Sequence, residues 1–533
     1  MKAPPGIAPA EFAAAIAEWQ DAVGKPWVFT SPEDVDLYRD AYSPFRGESE
    51  EREASAAVAP ATVEEVQAVL RIANRRQIPL YPISTGRNLA YGGSAPAYSG
   101  SVVLDLKRMN RILEVSEANA SALVEPGVSY FDLFRHIREN KLKLWVDCPD
   151  PGWGSPLGNA LDHGAGYTSA PYRDHFAAQC GLEVVLADGE IVRTGMGAMP
   201  SAKTWQQFKY GTGPYLDGIF SQSNFGVVTK MGLWLMPEPE VALSVTVSVP
   251  RHDDLTALCD TLISLIYADL IKSQTQAVSP VLHDEDPTPE LSALLARWDE
   301  GRVPALDAYA QLKGLPFWVC PFTFYGPEKL VRAQWEFVRQ RFATIAGLKW
   351  SEDAFLRFPL SDADLDAVSV KTRVGIPNLR IFSSRRGPNG PPLEGHIGFS
   401  PVVPMRGAAI LEAVNVTLKA IHDLGITPVG GMPLFYHLRT CMLIYSFPVG
   451  RDPAANRVVR NACSTMIDLC ARHGWGEYRM HPAYVDQGTA LYNFNDNSLR
   501  KVHESLKDAL DPNGILSAGR YGIWPRHLRG KRA

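Results

Sequence analysis

Cysteine is scarce. The seven residues at 148, 180, 259, 320, 441, 463 and 470 are scattered through 533 positions, and none sits in a Cys-x-x-Cys pair. That argues against a disulfide framework or a structural zinc site. Positive charge is not in excess either: 53 Lys and Arg against 58 Asp and Glu leave a net charge of −5. Non-specific nucleic-acid binding therefore has no basic field to work with. No apolar run approaches the ~18 residues of a membrane span. The N-terminus lacks a charged stretch followed by an apolar one; residues 10–23 instead read as an amphipathic helix interrupted by Glu11, Glu18 and Asp21. These absences predict a cytoplasmic protein without a secretory signal, a nucleic-acid partner or a membrane partner. Two nucleotide-binding signatures are also missing, the Gly-x-Gly-x-x-Gly fingerprint and the Walker loop ending in Lys-Ser/Thr.

What is present is an ordinary globular composition, 46% hydrophobic and 21% charged, in a chain long enough for two or three domains. Residues 61–77 carry an apolar stripe at Val63, Val66, Val69, Leu70 and Ala73, and Thr62 with Glu65 reads as a capping box. Short strands are predicted over 78–83, 102–106 and 122–127, a helix over 130–140, and a hairpin over 183–192 turning at Asp188-Gly189. Met236-Pro237-Glu238-Pro239-Glu240 reads as a linker. Beyond it a strand is expected over 243–249, helices over 253–269, 328–345, 407–424 and 497–510, and a strand over 396–402. Residues 283–303 read as a polar surface excursion, 386–395 as a Gly- and Pro-rich loop, and Asp511-Pro512-Asn513-Gly514 as a tight turn.

Two segments carry chemistry. PISTGRNLAYGGS at 82–94 follows a strand with glycines and small residues, a pattern that can turn successive backbone N–H groups toward one anion; a plain surface turn is the alternative. WVDCPDPGWGSPLGNALDHGAGYT at 145–168 is rich enough in glycine to let the backbone pack against a flat ligand, or to be an irregular loop.

These segments resemble the FAD-binding domain of the vanillyl-alcohol oxidase / para-cresol methylhydroxylase flavoprotein family. So do VEPGV at 124–128, RTGMGA at 193–198, GIFSQSNFG at 218–226, GWGEYR at 474–479 and DPNGIL at 511–516. CPDPGWGS at 148–155 is most similar to the bacterial eugenol oxidase branch. The resemblance implies an α+β fold: a two-part FAD-binding domain (1–237 and 475–533) and, between the parts, a cap or substrate domain (238–474) on an antiparallel sheet flanked by helices. It implies that Ser84, Thr85, Gly86, Arg87, Asn88 and Leu89 cradle the FAD pyrophosphate. Pro149, Gly158, Asn159, Asp162, Gly164, Tyr167, Gly226, Val228 and Arg520 would complete the cofactor site. His396, in GHIGFSPV, stands where histidine-linked members attach the flavin through its 8α carbon, a role asking for a nucleophilic imidazole nitrogen. Tyr91, Tyr478 and Arg479 match the trio that holds a substrate phenol as phenolate, and Asp150 matches the aspartate beside flavin N5. Each of these residues, taken singly, is as well explained as a turn, cap or packing residue.

The implied activity is an FAD-dependent oxidase of para-substituted phenols of the vanillyl alcohol, eugenol or 4-alkylphenol type. A benzylic hydride passes to flavin N5, a para-quinone methide forms, and water adds or the intermediate rearranges. Dioxygen then reoxidises the flavin, giving hydrogen peroxide. A 4-alkylphenol dehydrogenase or hydroxylase using a cytochrome or other acceptor is the alternative. So is an aliphatic alcohol or 2-hydroxy-acid oxidase, for which the trio has no use, and so is a flavin-free binding protein.

Four departures from the family pattern stand out. TSAPYRDH at 168–175 is two residues longer than the usual loop. GGMPLFYHLRTC at 430–441 replaces a Met-His-His stretch, and Gly430 and Gly431 suggest room for a bulkier substrate side chain. Tyr42-Ser43-Pro44-Phe45 stands where some members carry a histidine that assists flavin attachment. Last, the insertion tied to octamers is absent at 200–214, so a homodimer is expected. The stretch Ile381-Phe382-Ser383-Ser384-Arg385-Arg386, where tyrosine-linked members carry their attaching residue, contains no tyrosine, so the histidine link is the one the resemblance implies.

Overall fold

Thr62 accepts the Glu65 N–H at 3.2 Å, and the helix Val63–Arg76 follows with Val63, Val66, Val69, Leu70 and Ala73 all buried. Glu65 caps one residue further out than expected, accepting the Ala61 N–H at 2.7 Å. Gln77, at φ 54°, turns the chain out of the helix and into the strand Leu80–Ile83. The computed structural model describes residues 2–284, 286–384, 394–426 and 429–530, without the side chains of 383, 384 and 429.

Leu80–Ile83 runs parallel to Val102–Asp105, which runs parallel to Ala57–Val58; Val28–Phe29 adds an antiparallel edge to this four-stranded sheet. The helices Pro9–Val23 and Val63–Arg76 share one core with it, in which Phe12, Trp19, Leu70 and Leu104 are essentially inaccessible to water. Each such side chain contributes about 1.5–3 kcal/mol by burial. The far end of the chain joins the same sheet: Leu80 N–H donates to Ile515 O at 2.7 Å and Ser517 N–H to Leu80 O at 2.8 Å.

A second, antiparallel sheet has the order Ile112–Ser116, Ser121–Val124, Val227–Trp234, Gln179–Val185, Ile191–Arg193. Its last hairpin turns at Gly189, whose φ of +87° glycine adopts without strain. The helix Tyr130–Glu139 begins in a capping box between Ser129 and Asp132.

The expected linker at 236–240 is partly strand, because Met236–Pro237 pairs with Leu144–Trp145. Proline is tolerated there because so short a pairing asks little of its missing N–H. Val241–Val249 then lies between Trp318–Gly326 and Lys349–Arg357, all antiparallel. A further sheet orders Thr275–Gln276, Val429–His437, Thr440–Val449 and Gly395–Phe399, with Val402–Val403 also on Thr440–Val449. The helices Leu255–Tyr267, Glu328–Phe342, Gly407–Asp423 and Pro453–Arg472 pack with these two sheets around one large core.

The stretch 283–303 is not wholly irregular. Thr288 caps the helix Pro289–Leu295, which buries only Leu291 and so leaves little periodic signal. The helix predicted over 497–510 begins at Phe494, across a kink at Asn495, Asp496 and Asn497. Most of the loop at 386–395 lies outside the described residues. The strand expected over 396–402 is interrupted at Ser400-Pro401. There Tyr478 N–H donates to Ser400 O at 3.0 Å and Val402 N–H to Gly476 O at 2.8 Å. The interruption docks the GWGEYR segment onto the sheet.

Candidate functional site

A cavity of about 450 Å³ is lined by the 81–93 loop, by segments of 149–167 and 220–228, by His396, Gly398 and Ser400, and by Leu434, Tyr436, Tyr478, Arg479, Arg520 and Tyr521. All the candidate residues line it except Gly164. Gly164 lies behind the wall: its N–H donates to Asn159 O at 2.7 Å, and a Cβ there would strike the Asn159 amide. Glycine at this position is what lets the Asn159 side chain fold back.

The 82–94 loop has the geometry of an anion cradle. Among the described residues, none of the N–H groups from Thr85 to Leu89 donates within the protein. Gly86, at φ +68°, has no room for a side chain, since a Cβ would strike Ser94 Oγ. A Cβ on Gly158 would strike Ser84 Oγ, so glycine there lets the Ser84 side chain approach the helix backbone closely. Arg87 does not simply add charge to the nest; its guanidinium lies 4.9 Å from the centre of the Trp153 ring.

Asp162 ties this loop to the rest of the site. Its carboxylate accepts from Asn88 Nδ2 at 2.8 Å, from Arg520 Nη2 at 2.9 Å and from the Tyr521 hydroxyl, and it lies 3.7 Å from Arg479 Nε. Burial opposes its ionisation, but Arg520 and Arg479 prevail and bring its pKa down to about 2.

Arg479 also reaches the two tyrosines expected to act with it. Its guanidinium carbon is 4.9 Å from the Tyr91 ring centre and 5.1 Å from that of Tyr478, and Nη2 donates to the Tyr478 hydroxyl at 2.9 Å. The Tyr478 hydroxyl is 2.7 Å from that of Tyr436 and also contacts the carbonyl of His163, a residue at φ +53°. Burial raises Tyr91 and Tyr478 above the usual tyrosine range and pushes Tyr436 up to about 12. Burial works against the charge of Arg479, but Tyr478 and Asp162 outweigh it and hold the guanidinium cationic. The cluster is a fixed cation with the Asp162 carboxylate on one side and neutral tyrosine hydroxyls about it, donors that suit a buried anionic oxygen.

Tyr436 was not among the expected site residues. It lies in the stretch where the family pattern fails, yet the alternation of Leu434 and Tyr436 puts both on the cavity face. Gly430 and Gly431 do not enlarge the cavity. They sit at φ +99° and +103° beside a register shift, and a Cβ on them would strike Ile444 O and the Tyr445 ring. TSAPYRDH, the longer loop, forms the short helix Ala170–Arg173 with Arg173 fully buried.

Asp150 and His396 open on the same cavity as the trio. His396 lies on Gly395–Phe399, opposite Pro448, with the Tyr42 ring centre 5.3 Å from its own. Gly395 accommodates that ring, since a Cβ would meet Tyr42 Cδ1 at 2.7 Å. Residues 385 and 386 of the stretch lacking a tyrosine are outside the described residues.

The uncommitted N–H groups of the Gly-rich loop, in a cavity lined from the 81–93 loop through to Tyr478 and Arg479, fit a dinucleotide with a pyrophosphate. Comparison with known proteins agrees. Residues 54–195 match the model of an FAD binding domain. The chain is 32% identical over 530 residues to the 4-cresol dehydrogenase [hydroxylating] flavoprotein subunit of Pseudomonas putida, covering 98% of this chain and 97% of that protein. The structure of 4-ethylphenol oxidase from Gulosibacter chungangensis, in complex with isoeugenol, superposes with a TM-score of 0.85 at 34% identity over 99% of this chain and 100% of that one. That of p-cresol methylhydroxylase with substrate bound gives 0.85 at 30% identity over 98% and 99%. The protein is a flavin-dependent oxidoreductase whose cofactor is FAD. It belongs to the vanillyl-alcohol oxidase / para-cresol methylhydroxylase flavoprotein family. No helix among the described residues is long and apolar enough to cross a membrane.

Proposed function

We propose that this protein oxidises para-substituted phenols at the benzylic carbon. The observation that carries the reading is the Arg479 guanidinium packed against Tyr91 and Tyr478 in the cavity that also holds Asp150 and His396. A phenol has a pKa of about 10, so binding it as phenolate near neutral pH requires a site that favours the anion by several units. Arg479 supplies a permanent charge, and Tyr91 and Tyr478, kept neutral by burial, supply O–H donors. The phenolate raises electron density at the para position, which makes loss of a benzylic hydride feasible. FAD, when bound, supplies the two-electron acceptor.

In this reading Ser84 to Leu89, Pro149, Gly158, Asn159, Tyr167, Gly226, Val228 and Arg520 hold FAD, and His396 is the point of covalent attachment. Asp162 fixes Arg479 and Arg520 relative to the Asn88 loop. Asp150 takes the proton from water adding to the para-quinone methide. Residues 1–237 and 475–533 form the cofactor domain and 238–474 the cap, consistent with the joining of Leu80 to Ile515 and Ser517. Trp475 and Tyr484 pack in the core of the intervening sheets, so that boundary is an interface rather than a tether. Dioxygen is the proposed acceptor, giving hydrogen peroxide, and a homodimer the proposed assembly.

The test is an anaerobic screen of para-alkyl and para-hydroxyalkyl phenols for bleaching of the flavin absorbance near ~450 nm, followed by turnover in air. Bleaching by phenols but not by their O-methyl ethers, with peroxide formed on aeration, is the expected result. Bleaching without peroxide would identify a dehydrogenase, and bleaching only by 2-hydroxy acids or aliphatic alcohols would overturn the reading.

A further inference from the structure

Gln274 lies just before the strand Thr275–Gln276, which pairs antiparallel with Val429–His437 through Thr275 opposite Phe435 and Gln276 opposite Leu434. The same register sets Gln274 opposite Tyr436. Opposed residues share a face of the sheet, and both line the cavity. The backbone is held on two sides: Gln274 O accepts from Arg373 Nη1 at 3.1 Å, and Ser273 bridges to Ser169. The residue is 1% exposed, yet neither its Oε1 nor its Nε2 has a hydrogen-bond partner among the described residues.

A buried primary amide left unpaired is costly, and buried polar atoms in folded proteins are nearly always satisfied. Had the position served packing alone, leucine or methionine would fill it without that cost. The unpaired atoms are a donor and an acceptor on one planar group beside the tyrosine cluster. Arg479 and its tyrosines already address a single charged oxygen, so the amide is available to a second polar group.

We propose that Gln274 is a specificity residue that hydrogen-bonds a second, neutral hydroxyl of the substrate, on the para side chain or on the ring beside the phenolic oxygen. A hydroxyl can donate to Oε1 and accept from Nε2, whereas an ether oxygen satisfies only Nε2 and an alkyl group satisfies neither. The inference deepens the phenol reading and rests on it.

The test compares flavin-loaded wild-type protein with Gln274→Leu and Gln274→Met. Two substrate pairs differ by one hydroxyl: 4-propylphenol against 3-(4-hydroxyphenyl)propan-1-ol for the side-chain source, and 4-methylphenol against 4-methylcatechol for the ring source. Anaerobic flavin-reduction kinetics give the preference within each pair. Dissociation constants from flavin difference spectra with unreactive phenol and catechol give a readout free of chemistry. The expected result is a wild-type preference for the hydroxylated member of one pair that falls by about 10-fold or more in both variants, as for a buried hydrogen bond lost. The pair that responds identifies the source. Preferences unchanged in both pairs would overturn the inference while leaving phenol oxidation standing. So would an altered flavin spectrum in the variants at unchanged preference, because the amide would then serve the cofactor. Failure of every phenol to reduce the wild-type flavin would remove the phenol reading itself, and this inference with it.

Discussion

The hydroxyls of Tyr436 and Tyr478 lie 2.7 Å apart, one on a strand of the intervening sheets and the other in the segment that docks beside Ser400. Tyr478 has one proton and three polar neighbours. Arg479 can only donate and the His163 carbonyl can only accept, so Tyr436 donates to Tyr478 while Tyr478 donates to His163. A bound anionic oxygen competes with that carbonyl for the Tyr478 proton. Two donations into the Tyr478 oxygen, from Arg479 and Tyr436, make it a stronger donor in turn.

Tyr436→Phe should therefore weaken phenolate recognition without removing it. One neutral hydrogen bond is worth about 1 kcal/mol, so about a five-fold loss of affinity is expected. Titration of bound 4-nitrophenol, whose anion is coloured, is the check: its apparent pKa on the enzyme should be higher in the variant than in the wild type. An unchanged pKa would mean Tyr436 has no part in holding the anion.

Arg479→Met removes the cation from the cluster. Loss of a single preorganised donor to a developing or bound oxyanion costs about 100- to 1,000-fold in rate. The kcat/KM for a reactive phenol should fall on that scale, and affinity for 4-nitrophenol should fall with it. Retention of either within three-fold would place the anion elsewhere.

Asp162 gives a pH dependence of known sign. Its pKa of about 2 lies below the ordinary aspartate value, so its ionised form stabilises the fold at neutral pH. That contribution is complete above the unfolded value near 4, and it is lost as pH falls toward 2. Chemical denaturation of wild-type protein and Asp162→Asn between about pH 2 and pH 7 should show the variant destabilised at neutral pH by several kcal/mol, as for a broken buried ion pair, and the difference narrowing with acid. A constant difference would exclude Asp162 as the titrating group.

Glu477 has the opposite sign. Burial pushes its carboxyl well above the ordinary glutamate range, against the opposing hydrogen bond of the Ser400 backbone. Its neutral form is favoured in the fold, so stability is lost as pH rises from the unfolded glutamate value toward the folded one. Glu477→Gln should raise the Tm at pH 8 and leave it nearly unchanged at pH 4. A lower Tm at pH 8 would show that the carboxylate is wanted there.

His396→Ala addresses the flavin bond. Acid-precipitated wild-type protein should stay yellow, while the variant should release its flavin to the supernatant and still bind it reversibly through the 84–89 loop. A yellow variant pellet would move the attachment to another residue.

Much of this was legible in the chain. The helix Val63–Arg76 announces itself because its cap, its stripe and its left-handed end are all local. The cavity-lining glycines and the Tyr-Arg pair are legible by resemblance. What escaped depends on contacts made at long range. Tyr436 becomes a site residue only because Tyr478 meets it across the cavity, and Gln274 only because the register of its short strand sets it opposite Tyr436. Sequence does not distinguish a glycine that admits a cofactor from one that admits a neighbouring side chain, and the space at Gly164 is taken by Asn159. Gly430 and Gly431 suggest empty space in the sequence, whereas their backbone geometry is what requires them.

The partnership of Leu80 with Ile515 and Ser517, together with the reach of Arg520 and Tyr521 to Asp162, has a consequence for biosynthesis. An emerging polypeptide cannot finish the cleft until Arg520 and Tyr521, 358 and 359 residues beyond Asp162, have been made. Cofactor capture is thereby deferred until residues 515–521 have been made and have folded back, and a chain truncated before residue 515 should accumulate as colourless apoprotein.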